Sequence, residues 1–388
     1  MKYASVLIAA SLCLLLVGAV QADSLNVRYL GGCDTPCWAN GVAVNGDFAY
    51  VADEGYSGLR CISVADRAHP TEVGYYVTPG HATDVAVVGS YAYVADQEDG
   101  LRVISISDPA HPVEVGYCDT PGDYAVSACV SGDYAYVVDE FTGLRVVSIS
   151  DPSHPVEVGH CDIPGVGMGV AISGSHAFIA AYSAGLRVIS VVDPANPVEV
   201  GHLDEPDLAY AIDAFAGYVY VADESAGLRI VSASDPAHPS EVGVFNTPDY
   251  TTNVAIAGNY AFIVCDDAAL RVVSVADRSH PAEAGYHSTV EIPRDVAVSV
   301  GYTYVAVGAS GLQIYQFYGA GVEESPKPQA PSYKLAATVI RSLPAGAVAF
   351  DAMGRRVVEP RSGIYFVRIE PQAAGHKPQA VEKVILQR

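Results

Sequence analysis

Seven positions, spaced 42 or 43 residues apart, carry side chains of the kind that hold a ligand: Trp38, His81, Tyr124, Val166, Leu208, Tyr250 and Ile292. Two residues further along the set reads Asn40, Thr83, Val126, Met168, Tyr210, Thr252 and Arg294, with Asp84, Asp123, Asp249 and Asp295 close by in sequence. Aromatic rings with a polar tip, ringed by carboxylates, suit a sugar, a peptide or a basic side chain. The competing reading is that these aromatics plug a central funnel. The candidate binding residues are therefore Trp38, His81, Asp84, Tyr124, Tyr210, Tyr250, Arg294 and Asp295. No catalytic residue is assigned, because the chain has no Gly-x-Ser-x-Gly elbow, no phosphate-binding glycine loop and no His-Glu-x-x-His.

A second, more uniform set serves the repeats themselves. Arg60, Arg102, Arg145, Arg187, Arg229 and Arg271 recur at one position, and Asp53, Asp96, Asp139 and Asp223 at another, where Ala181, Cys265 and Val307 stand in the remaining copies. A guanidinium fork pairs with a carboxylate across neighbouring strands, so these residues are expected to be structural. On that reading Arg102→Ala costs more stability than Arg67→Ala, since Arg67 stands in a turn. His69, His111, His154, His238 and His280 also share one position, and on separate repeats they are too far apart to share a metal held by bonds of about 2.1 Å. Acidic pairs such as Asp53-Glu54, Asp139-Glu140 and Asp266-Asp267 offer oxygen ligands to calcium, yet none has the spacing of a dedicated calcium loop. No metal or other cofactor is assigned, and calcium stays open as a ligand of these acidic loops. Cys33 and Cys37 are the one close cysteine pair, and the sequence leaves their bonding open.

These side chains are positioned by a repeat. Gly-Leu-Arg recurs at 58–60, 100–102, 143–145, 185–187 and 227–229, with degenerate copies at 269–271 and 311–313. A period of about 40 to 45 residues is that of one four-stranded propeller blade. In the second copy, 84–88, 91–96, 101–107 and 113–117 read as strands a to d, punctuated by Gly and Pro. The seventh copy lacks strand d, while the phrase at 27–36 matches the strand d phrase at 113–121. An N-terminal strand that completes the last blade joins the ends of the ring and removes two open edges. The fold class is thus all-β: a seven-bladed β-propeller over 23–318, closed by an N-terminal strand. The loops from d to a then open on one face around the channel.

The phrases Gly-Leu-Arg-Val-Ile-Ser-Ile-Ser-Asp-Pro (100–109) and Tyr-Ala-Tyr-Val-Ala-Asp (91–96) resemble the LVIVD repeat of bacterial and archaeal surface proteins. The resemblance implies a propeller exported to the cell surface and no particular chemistry. Lys2, the apolar stretch 4–20 and the small residues around Val20-Gln21-Ala22 predict a signal peptide over 1–22 rather than a stable transmembrane segment. Residues 319–331 are Pro-rich and read as a linker. From 332 to 388, strand-like runs at 345–350, 363–369 and 381–386 predict a small immunoglobulin-like β module. Within it, 351–357, 363–366 and Lys383-Val384 resemble the C-terminal sorting domain of the type IX secretion system. That resemblance implies export machinery as a partner, although the Asn-Pro opening common in the family is absent.

Charge narrows the partners further. The chain carries a formal charge of −23, and residues 23–318 hold ten Arg, no Lys and 38 of its 44 acidic residues. Such a surface repels nucleic acid and anionic membranes, and it keeps an exported protein soluble. The expected function is an exported, noncatalytic module, secreted or at the cell surface, that binds a protein or a glycan. The alternative is a secreted propeller enzyme, a hydrolase or lyase of polysaccharide, using Asp84, Asp295 or His81. Fold alone does not separate the two.

Overall fold

A computed structural model describes residues 24–319 apart from 121, 123 and 205–207, together with strand segments between 338 and 386. The expected signal peptide, all but the first residue of the expected linker, and Asp123 lie outside the described residues.

The second and third strands of each repeat are short apolar runs, such as Phe48–Asp53 and Gly58–Ser63, buried along nearly their whole length. A run of that length with no polar face is a strand covered on both sides. Alternate side chains then serve opposite neighbours. Ala49 and Val51 pack with Tyr304 and Ile314 of the seventh repeat, while Tyr50 and Ala52 pack with Val85 and Val94 of the second.

Seven antiparallel sheets result, each in the order a-b-c-d, the first built from Ala39–Asn45, Phe48–Asp53, Gly58–Ser63 and Thr71–Tyr76. Strand a lines a central channel and strand d faces outward. An apolar cluster fills every interface between neighbouring sheets, including that between the seventh and the first, so the ring is closed. This is the seven-bladed propeller that the period implies.

Closure uses more of the N-terminus than the missing strand. Val27–Cys33 pairs with Leu312–Phe317 as strand d of the seventh blade, and Ser24–Leu25 pairs with the outer strand of the sixth, opposite His287 and Tyr286. The reason lies in a glycine. Each strand d carries a β-bulge beside one, and a Cβ on Gly116 would come within 2.4 Å of the Pro152 carbonyl oxygen, in the c–d turn of the next blade. Gly31 meets the turn at Arg67 and Ala68 in the same way, across the seam of the ring. Among the described residues Gly285 has no such turn to meet. The Leu25 carbonyl lies there instead, 2.7 Å from where a Cβ would stand. The N-terminal segment thus supplies both the strand and the turn that the seventh blade lacks.

The c–d turns are held locally. In five of them the histidine Nδ1 lies 3.0–3.2 Å from the aspartate three residues earlier, as in His69 with Asp66 and His280 with Asp277. The chain divides into two compact units between 321 and 322. The second contains a sheet in the order Thr338–Ile340, Glu382–Leu386, Gly363–Ile369, Ala347–Phe350 and Arg356–Val357, whose first pair is parallel. Among the described residues no helix is long and apolar enough to cross a membrane.

Candidate ligand groove at the seam of the ring

Because successive strands run antiparallel, the d–a loops and the b–c loops emerge on one face, and the a–b and c–d turns on the other. The aspartate that ends strand b stands between the two loops of its blade and ties them. Asp53, wholly buried, accepts the Cys37 N–H at 3.2 Å. Asp96 accepts the Thr78 hydroxyl at 2.5 Å and the Gly80 N–H at 2.9 Å. Asp139 accepts the N–H groups of Tyr124 and Thr142 at 3.2 and 3.0 Å.

The repeat arginines lie behind these carboxylates. Arg60 Nε is 3.5 Å from Asp53 and Arg102 Nε 3.8 Å from Asp96, and Arg229 pairs with Asp223. Arg145 corrects the expected pattern: its Nε donates to the Thr142 hydroxyl at 3.2 Å, and that hydroxyl donates to Asp139 at 2.8 Å. Thr142 reaches the space between the two and relays the contact. The partner common to all six arginines is instead the strand d glutamate, Glu72, Glu114, Glu157, Glu199, Glu241 or Glu283. Arg67 is also more than a turn residue. Its Nε donates to the Tyr304 hydroxyl at 3.0 Å and its guanidinium lies 4.2 Å from the Tyr302 ring centroid, across the closing seam.

On the loop face at that same seam, Trp38, Arg294 and His81 come together. Trp38 leads into the first blade, Arg294 into the seventh and His81 into the second, and with Cys37, Asn40 and Glu54 they line a depression of about 550 Å³. The Arg294 guanidinium stands 5.6 Å from the Trp38 ring centroid. Trp38 is held from behind by backbone bonds, its carbonyl accepting the Glu54 N–H at 2.9 Å while the next residue, Ala39, donates to Gly308 at 3.0 Å. Asn40 Nδ2 donates to Glu54 Oε2 at 2.8 Å, and His81 stacks at 4.6 Å on Tyr56. His81 Nδ1 is buried without a hydrogen-bond partner. A second depression of about 290 Å³ lies along Trp38 and Arg294, with Glu291, Ile292 and Gly308.

The other sequence candidates lie elsewhere. Asp84 and Asp295 sit in the wall of the central channel, a cavity of about 420 Å³, rather than in the groove. Each reaches the inner strand of the next blade: Asp84 accepts the Ala128 N–H at 3.0 Å and the Ser127 hydroxyl at 2.9 Å, and Asp295 accepts the Val42 N–H at 2.6 Å. Burial raises both carboxyls above the ordinary range, and with the Asp84 charge nearby Asp295 is pushed up to about 7. Asp213, not foreseen, makes a third such latch to the Ile256 N–H at 2.7 Å. Tyr124 packs edge-on against Phe141 and Tyr210 against Tyr182, on other blades of the same face, while Tyr250 is exposed. Cys33 and Cys37 are free thiols.

Sequence reasoning missed Glu54 and Glu291 as members of the groove, and Tyr56 as the ring that backs His81. For Glu54 the available signal was the parity of the strands, which places b–c loops beside d–a loops, whereas Glu291 stands in a d–a loop itself, next to Ile292 of the rim set. Among the described residues no three His, Cys, Asp or Glu side chains gather as a metal cage.

Comparison with known proteins places this ring in context. A family model described as the LVIVD repeat matches residues 38–78, 79–120, 122–163, 164–205, 209–247, 248–289 and 293–315. No curated protein matches the chain. Among solved structures, the crystal structure of the computationally designed Ika8 protein is similar with a TM-score of 0.55 and 8% identity, covering 74% of this chain and 99% of that one. At that identity the likeness is one of fold alone.

Proposed function

Because the chain belongs to the LVIVD-repeat family, and its seven repeats differ most where their loops gather on one face, we propose that it is an exported, noncatalytic module that binds a protein or glycan at the cell surface. The observation that carries this reading is the convergence of Trp38, Arg294 and His81, from three blade entrances, on one open depression. A ring needs sameness and a ligand site needs asymmetry; these three residues are the asymmetry. A polysaccharide hydrolase or lyase would need Asp84 or Asp295 turned to substrate, and both carboxylates are engaged by neighbouring backbone N–H groups.

Export rests on the leader-like segment at 1–22 and on the resemblance of the tail to a sorting domain. Mass spectrometry of the secreted protein tests it, with a mature start near Asp23 expected. Binding is tested by glycan and peptide arrays probed with the mature wild type and Trp38→Ala. Saturable binding that the variant loses is the expected result, and turnover of a polysaccharide would replace this reading with the enzyme.

A further inference from the structure

Resting on that binding reading, we propose that the groove recognises a uronic acid residue within an otherwise neutral glycan, Arg294 taking the carboxylate and Trp38 the sugar ring. The first observation is an inventory of the arginines. Of the ten in the propeller, nine donate hydrogen bonds or form ion pairs: six belong to the repeat clusters, Arg28 donates to Gln316, and Arg67 and Arg278 donate to tyrosine hydroxyls. The Arg294 guanidinium alone has neither among the described residues; it stands against the Trp38 ring, and the residue is exposed at the mouth of the groove. Asp266 is near enough to feel its charge without bonding it. An open guanidinium fork is matched in geometry to a carboxylate, which accepts two parallel N–H bonds.

The second observation is the platform beside it. Trp38 is 51% exposed. Gly308 closes in on its ring edge, since a Cβ there would lie 3.5 Å away. The depressions of about 550 and 290 Å³ both border this ring, so the platform serves a chain of linked sugars rather than one isolated residue. A pyranose lays its C–H face on an indole, and the amide of Asn40 and the carboxylate of Glu54, both lining the groove, supply bonds to hydroxyls.

Charge limits the ligand from the other side. Glu54 and Glu291 line the groove, and the ring as a whole is strongly acidic, so a densely charged polyuronate is repelled while a single carboxylate opposite Arg294 is not. A basic side chain, the third ligand that the sequence admits, is disfavoured by the arginine itself.

The test uses a probe that the chain already contains, since Trp38 is its only tryptophan. The mature full chain is titrated by tryptophan fluorescence with glucuronosyl-β-1,4-glucose and with cellobiose, the same scaffold without the carboxylate. Tighter binding of the uronate by about tenfold or more is expected, as for a charge-assisted bidentate contact. Arg294→Gln, a surface change outside the blade cores, removes that preference, so that the variant binds the two sugars with equal affinity. Equal affinity of the wild type for both sugars, or a preference that survives Arg294→Gln, overturns the uronate assignment while leaving a glycan-binding groove. Binding of neither sugar alongside Arg294-dependent binding of a peptide C-terminal carboxylate also overturns it and redirects the site to protein. Silence of the arrays described above would instead remove the binding reading on which this proposal stands.

Discussion

A buried carboxylate in this ring is stabilised by bonds from its neighbours and penalised by its surroundings, and the balance differs from site to site. Asp96 is pushed up to about 6 and Asp295 to about 7, in each case first by burial. The folded form therefore holds these protons more tightly than the unfolded chain, whose aspartates titrate near about 3.9. Their contribution to stability is full below pH about 4 and is lost as the pH rises toward 7. Asp66, Asp108, Asp151, Asp235 and Asp277, lowered first by bonds from neighbouring His or Ser side chains, act below that window and with the opposite sign. Melting temperature measured from pH 4 to 8 should fall through this range, and in Asp295→Asn the upper part of the fall should flatten. A variant that keeps the full slope would show that Asp295 is ionised throughout. Arg67 marks the limit of reading residues singly: in sequence it is a turn residue, and only the ring brings Tyr304 and Tyr302 to it.

At the scale of the element, the outer strand is where blades are fitted to one another. Its glycine is required by close approach and not by backbone conformation, because the turn of the next blade occupies the place of a side chain. Gly132, in an a–b turn with φ +61 and open space around it, is the opposite case. Gly132→Ala should cost about 1 kcal/mol, the penalty of a left-handed residue. Gly116→Ala should cost clearly more, about 3 kcal/mol, because the Pro152 carbonyl and the Pro155 ring must move. Urea unfolding of the two variants compares them, and equal losses would mean that the interface yields without strain. Strands, turns and punctuating glycines were legible in the repeat, since each is a local choice of the chain. The strand d glutamate as the shared arginine partner was not, because its role depends on the pairing of c with d and on which face of that pair is covered.

For the whole molecule the N-terminal segment decides whether seven blades make a ring. It pairs with two blades, completes one and fills the missing turn beside the other. A mature chain starting at Asp34 would leave Leu312–Phe317 as an open edge, which invites pairing with another copy. Size-exclusion chromatography should find that truncated chain in oligomers with a lowered melting temperature. A monomer that melts as the full chain does would show that closure rests on the apolar interfaces alone.

The sequence by itself determined the number of blades, the strands within each, the strand that shuts the ring and the rim positions from which Trp38, His81 and Arg294 project. Those properties repeat with the period, so one dimension suffices to read them. Tertiary structure alone decided that these three residues share a groove, that Glu54 joins them, and that Asp84 and Asp295 turn inward as latches. Contacts across the seam join residues far apart in the chain, and they come into being only when the curvature of seven packed sheets brings the last blade against the first.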